Sequence, residues 1–237
     1  MNIISNIFKS SLGKKYIMGL TGFMLVGFIF GHLAGNLLVF LGPDAINSYG
    51  ALLKSSPKVL WGARIGLIVG VLLHIAVGIL LHSENKAARP VGYLESKATE
   101  ASYASQFMRG SGIVVFFFIL YHLLHFTVML DWVNGTGLDF HMLKDSAGRH
   151  DIYRMLIIGF QNPWVSISYA VAIILLSLHL SHGLSAMFHS LGLKTPAWTK
   201  PIELFAKVGS AIVLVGYLSI PIAVLTGILT FAEKGAQ

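Results

Sequence analysis

Five stretches of the chain are apolar over at least twenty consecutive positions, and that constrains the fold more than any other feature. They cover residues 16–41, 60–81, 110–130, 164–191 and 204–231. A bilayer core about 30 Å thick needs roughly 20 apolar residues in a helix. In lipid only a helix or a closed barrel satisfies every backbone N–H and C=O. Runs of this length predict helices, so the expected fold is an all-α integral membrane bundle of five transmembrane helices. Only 11% of the 237 residues are charged, about half the share in soluble domains, so lipid is the expected surroundings.

The breaks between runs carry the right punctuation. Gly42-Pro43-Asp44 closes the first, Arg89-Pro90 follows the second, and Asn162-Pro163 opens the fourth, with Pro163 suited to a first helical turn. Trp61, Trp132, Trp164 and Trp198 fall near run ends, where an interfacial aromatic belt places them. Pro221 is a candidate kink in the fifth run. Neither a repeat nor a second domain is evident, so residues 1–237 read as one domain. The first run is much longer than the h-region of a signal peptide and no small-residue cleavage site follows it, so it is expected to remain.

The formal charge of +7 lies in short segments between the apolar runs, as headgroup anchors and partner contacts do; nucleic acid is not an expected partner. Ten Lys and Arg residues fall on the amino-terminal side of the runs and seven on the other. The positive-inside rule then predicts a cytoplasmic amino terminus. In the connection 131–163, the apolar stretch 151–160 predicts a short helix in the outer interface or a capped re-entry into the fourth span.

Ten histidines are present and no cysteine. The lack of thiols leaves imidazole and thioether as the soft ligands and excludes iron–sulfur ligation or thioether-linked haem within the chain. Six histidines fall inside predicted spans: His32, His74, His122, His125, His179 and His182. A lone intramembrane histidine is as often a hydrogen-bond partner between helices as a ligand. Here four helices each supply at least one, the number that two six-coordinate haems require. With about 1.5 Å of rise per residue, His32 and His122 fall at one level nearer the outer side, and His74 and His179 at a second, inner level. Gly62, Gly66, Gly70 and Gly78 recur at four- or eight-residue spacing around His74, and Gly27, Gly31 and Gly35 do so around His32. Such stripes suit either a flat macrocycle or close helix packing. Arg64, Arg109 and Lys15 lie near helix ends, within reach of haem propionates or as interfacial anchors.

Taken in order, these segments resemble a known family. GFIFGHLAGNLLVF followed by INSYGALLKSSP, then LLHIAVGILLH, then Arg109-Gly-Ser-Gly112 with His122 ten residues on, then GFQNPW and LHLSHGLSAMF look like the cytochrome b membrane anchor of succinate:quinone oxidoreductases. The likeness is to the succinate dehydrogenase and fumarate reductase class with one five-helix polypeptide enclosing two b-type haems. It implies His32, His74, His122 and His179 as axial iron ligands, preferring His122 to His125 and His179 to His182. It implies His32 with His122 on the distal haem and His74 with His179 on the proximal one. Two haem b groups, a quinone substrate (menaquinone expected), a flavoprotein subunit, an iron–sulfur subunit and a bacterial cytoplasmic membrane follow as expectations. The basic segments 83–108 and 194–207 would form the docking face for the soluble subunits. Acidic quinone-site residues known in some relatives have no counterpart: Ser177 precedes His179 by two, and Lys54 stands near the expected outer carboxylate. Two rival readings are another bis-histidine membrane cytochrome with different partners and a haem-free transporter; the latter's expected paired discontinuous helices are not evident.

Overall fold

A computed structural model of the chain describes residues 9–88 and 107–231. Its elements, in chain order, are α1 (Ser11–Leu37), α2 (Pro43–Lys54), α3 (Pro57–Ala87), α4 (Met108–Phe126), α5 (Ile152–Gln161), α6 (Pro163–Ser190) and α7 (Thr199–Leu225). Short 3₁₀ turns occupy Leu38–Leu41 and Phe140–Met142. Among the described residues there is no β-strand, only an isolated bridge between Lys144 and His150. Five helices are long and apolar enough to cross a membrane: α1 with its 3₁₀ extension, α3, α4, α6 and α7.

The ends follow local chemistry. Ser10 caps α1, its Oγ accepting the Gly13 N–H at 3.0 Å. Asn162 caps α6 by accepting the Trp164 N–H at 3.0 Å, with Pro163 in the first turn as expected. Several boundaries differ from the hydropathy reading: α1 begins at Ser11, before 16, and α3 runs from Pro57 to Ala87, beyond 60–81 at both ends. α4 stops at Phe126, not at 130, because Thr127 closes the helix and Met129 turns to φ 58°. α7 begins at Thr199, five residues early, and ends at Leu225. Its opening residues include Lys200 and Glu203, polar residues that fold into the helix without adding to an apolar run. It ends in a left-handed Gly227, with the Leu229 N–H donating to the Ala223 carbonyl. The helix continues past Pro221, which lies buried within it.

The helices alternate in direction, as the contacts at each end record. On the amino-terminal side the Lys14 ammonium pairs with Glu84 and Gly19 abuts Leu191. On the far side Asn47 bonds Asp151, and the Tyr153 hydroxyl donates to the Thr230 carbonyl at 3.0 Å. α6 and α7 form the best-packed pair, joined by Leu184, Ala206 and Val213 and by the Ser177 hydroxyl donating to the Ser210 carbonyl at 2.9 Å. α1 packs on α3, α6 and α7, and α4 packs on α6. α3 and α4 do not pack closely against each other. The most apolar windows of α1, α3 and α4 are 11% buried, against 39% for α6 and α7. The solid core therefore lies on the α6–α7 side, and the four-helix ring α3–α1–α6–α4 stays open between α3 and α4.

The short helix predicted over 151–160 exists as α5, but it is not laid on a surface. Six consecutive residues, Met155–Phe160, are buried, and Leu156, Ile157 and Phe160 join Val165, Tyr169 and Ile220 in the far-side core. It is a plug seated between α2, α6 and α7, and its end leads through Asn162 into α6, the re-entry alternative. Arg89 and Lys97, with residues 89–106 of the expected docking segment, and Lys234 lie outside the described residues.

Candidate functional site

The four histidines singled out by level lie on the four helices of the open ring. In the far-side layer the rings of His32 and His122 face each other with centroids 5.8 Å apart and planes at 79°. Phe28 stacks on His32 at 5.2 Å and Phe118 lies 5.8 Å from His122. Tyr217 closes one side, its ring 6.2 Å from His32 and its hydroxyl donating to the Ile29 carbonyl at 2.9 Å. The Asn36 amide is committed to the His32 carbonyl at 2.7 Å and stands 3.3 Å from both ring nitrogens of that residue.

His125 is placed differently. Its ring is fully buried, stacks on Phe126 at 3.8 Å and faces Phe140 and Tyr169. A Cβ built on Gly159 would stand 3.2 Å from its Nε2, so α5 closes off that nitrogen. Nε2 has no hydrogen-bond partner among the described residues, whereas Nδ1 lies 3.0 Å from the Tyr169 hydroxyl. The same hydroxyl stands 3.4 Å from His122 Nδ1, so Tyr169 joins the two histidines of α4. His125 has no room beside it for a flat group; His122 faces the open ring.

In the layer nearer the amino terminus, His74 and His179 each meet a hydroxyl from a neighbouring helix. Thr21 Oγ1 lies 3.1 Å from His74 Nδ1, and Ser111 Oγ lies 3.4 Å from His179 Nδ1. Both hydroxyl protons are already used: Thr21 donates to the Ile17 carbonyl at 2.8 Å, and Ser111 to the Met108 carbonyl at 3.1 Å. Each oxygen is therefore left as an acceptor, which favours the tautomer with the proton on Nδ1 and the lone pair on Nε2. A metal-binding histidine needs that arrangement, usually with a backbone carbonyl or carboxylate as the acceptor; a hydroxyl stands in that position for His74, and for His179 a hydroxyl stands beside the Met108 backbone. Beside each ring is a glycine. A Cβ on Gly22 would sit 3.6 Å from His74, and one on Gly112 would sit 3.4 Å from His179.

The two layers repeat one pattern. Thr21 precedes His32 by eleven residues on α1, and Ser111 precedes His122 by eleven on α4. Eleven residues make about three turns of helix, so hydroxyl and histidine share a face roughly 16 Å apart. These hydroxyls, with Tyr169 and Tyr217, are the functional side chains that the sequence reading did not single out. The equal spacing on two helices is the signal that could have found Thr21 and Ser111; the tyrosines had none.

The basic candidates sit near the ends. Arg64 lies over the Trp61 ring at 5.1 Å, an interfacial cation–π pair. Arg109 Nη1 donates to His82 Nε2 at 3.0 Å and ties α4 to α3 on the amino-terminal side, keeping further N–H groups for another acceptor. His182 and His189 lie on the carboxyl-terminal half of α6, His189 in its last turn.

The residues fit a bis-histidine macrocycle by donor chemistry. Single imidazoles come from four helices. The glycine stripes divide by role: a Cβ on Gly70 would collide with Met24, and one on Gly78 would crowd Met18, whereas Gly27, Gly31, Gly62 and Gly66 have nothing within 4 Å of a built Cβ. The first pair serves helix packing and the other four leave flat open strips on α1 and α3. Among the described residues no group of three or more His, Asp or Glu side chains converges. Comparison with family models, with curated proteins and with solved structures finds no match.

Proposed function

We propose that this chain is the di-haem cytochrome b anchor of a succinate dehydrogenase or fumarate reductase complex, relaying electrons between an iron–sulfur subunit and membrane quinone. One observation carries the reading: four histidines from four helices stand in two layers, with the far-side pair ring to ring and each histidine of the other pair held on a spent hydroxyl. A haem bound at each level supplies a one-electron carrier, and the protein sets its ligands, burial and field.

The chain's own residues do the positioning. His74 and His179 present Nε2 because Thr21 and Ser111 accept from Nδ1. His32 and His122 would be aligned by the rings of Phe28, Phe118 and Tyr217 and by the Tyr169 hydroxyl. Arg64 and Arg109 offer guanidinium donors to propionates at the two ends. Charge moved between the levels is coupled to the membrane potential, by about 2.3 kcal/mol per elementary charge per 100 mV for a full crossing. The amino terminus would face the cytoplasm of a bacterium, with the flavoprotein and iron–sulfur subunits docked on the basic segments of that side. Purification of the tagged chain from its native membrane tests this. Co-purification of a flavin-containing subunit that reduces the chain's haem with succinate supports the reading; haem without such a subunit would assign the chain to a different quinone oxidoreductase.

A further inference from the structure

On the far side the loops build a second site that the histidine ladder leaves unused. α2 ends at Lys54, and the turn 144–150 folds back against it, closed by the Lys144–His150 bridge and by the Asp145 N–H donating to the Arg149 carbonyl at 2.9 Å. Gly148, at φ 76°, makes the reversal possible. Asn47 fastens the two parts: its amide donates to Asp145 and Asp151, and its carbonyl accepts the Tyr153 N–H at 3.1 Å. A cavity of about 320 Å³ opens between them. Lys54, Lys144, Arg149 and His150 all contribute to its wall, and no carboxylate does.

The charges there are unbalanced. Arg149 is paired with Asp44 at 2.8 Å and Asp145 at 2.7 Å, which raises its pKa. Lys54 and Lys144 have no carboxylate within ion-pair distance among the described residues. Burial, then Lys144 and Arg64, lowers the Lys54 pKa; burial, then Lys54 and Lys144, lowers that of His150. Both lysines are exposed, and the fastened loop and the end of α2 bring them to one cavity, within electrostatic reach of Arg64, where like charges favour an entering counter-charge.

We propose that this cavity binds a phosphoryl anion, with Lys54 and Lys144 as its principal charge partners. Its position at the interfacial end of α3 admits either an anionic phospholipid headgroup or free phosphate, and both carry the same chemistry.

Native mass spectrometry of the full chain in neutral detergent, with short-chain phosphatidylglycerol and with inorganic phosphate as probes, tests it. The expected result is retention of phosphatidylglycerol, weakened about tenfold or more in the Lys54→Gln/Lys144→Gln variant, which loses two charge-assisted contacts. Lys54→Arg/Lys144→Arg should retain binding. Displacement of the lipid by inorganic phosphate identifies phosphate itself as sufficient; retention against it identifies the headgroup. Should the double variant fail to fold, the single Lys144→Gln variant should show the loss. Failure of both probes to bind, or equal binding by the native chain and a folded glutamine variant, would overturn the proposal.

Discussion

His122 and His125 stand one turn apart on the same helix, and their surroundings separate them more clearly than their spacing. His122 faces His32 across 5.8 Å, whereas His125 is shut in by Phe126, Phe140 and Gly159. His122→Ala is expected to remove one of two haems, and His125→Leu to keep both, as measured by the reduced α-band and the haem content of each purified variant. Tyr169 touches both histidines through one oxygen. Tyr169→Phe should lower stability by about 1–3 kcal/mol, because it leaves a buried His125 nitrogen unpaired; thermal unfolding in detergent measures it. On the proposed function, Thr21 and Ser111 would be positioning residues. Thr21→Val removes the acceptor for His74 and should shift the midpoint potential and the electron-spin resonance of the inner haem alone, while Thr21→Ser should restore both.

At the scale of elements, α2 and α5 show what apolar patterning misses. Hydropathy leaves α2 in the gap between the first two runs, although Pro43 at its start, Asp44 in its first turn and Lys54 in its last mark a helix by its ends. It is short and polar, so a search for membrane-length apolar runs passes over it. α5 was legible from its unbroken apolar residues, but not its burial, which depends on Tyr169, Ile220 and Leu156 meeting across sequence distance. The ends of α4 and α7 shifted for a similar reason: apolarity says where lipid is, and backbone hydrogen bonds say where a helix stops. Asn47 is the fastener of this far-side cap, with three hydrogen bonds to two segments about a hundred residues on. Asn47→Ala should speed amide exchange in α5 and the 144–150 turn, leaving α6 and α7 unchanged. The cap also carries a pH signature. Burial alone would raise the Asp145 pKa, but hydrogen bonds from Arg149 outweigh it and hold the folded value below the usual carboxylate value. Its contribution is complete above the unfolded pKa and lost as pH falls through the folded one, so amide exchange of the turn should quicken on acidification through and below the carboxylate range.

For the whole molecule, the five spans and the two histidine levels were legible because both rest on simple periodic geometry: chain length against bilayer thickness, and rise per residue against depth. The sequence could not show the openness between α3 and α4, nor that α6 and α7 carry most of the packing, because small residues serve both close contact and open strips. Gly70 and Gly66 differ only in what stands opposite. A loosely packed α3 should gain most from ligation, since whatever binds only the folded state stabilises it. Chain prepared under haem limitation is expected to exchange its α3 amides faster than α6 and α7, and to recover on adding haem. The most direct measurement is the pyridine-haemochrome content of the purified, folded chain. The expected result is two protohaems per chain, falling to one in both His32→Ala and His74→Ala. A folded, fully assembled preparation that contains no porphyrin would contradict the reading at its root.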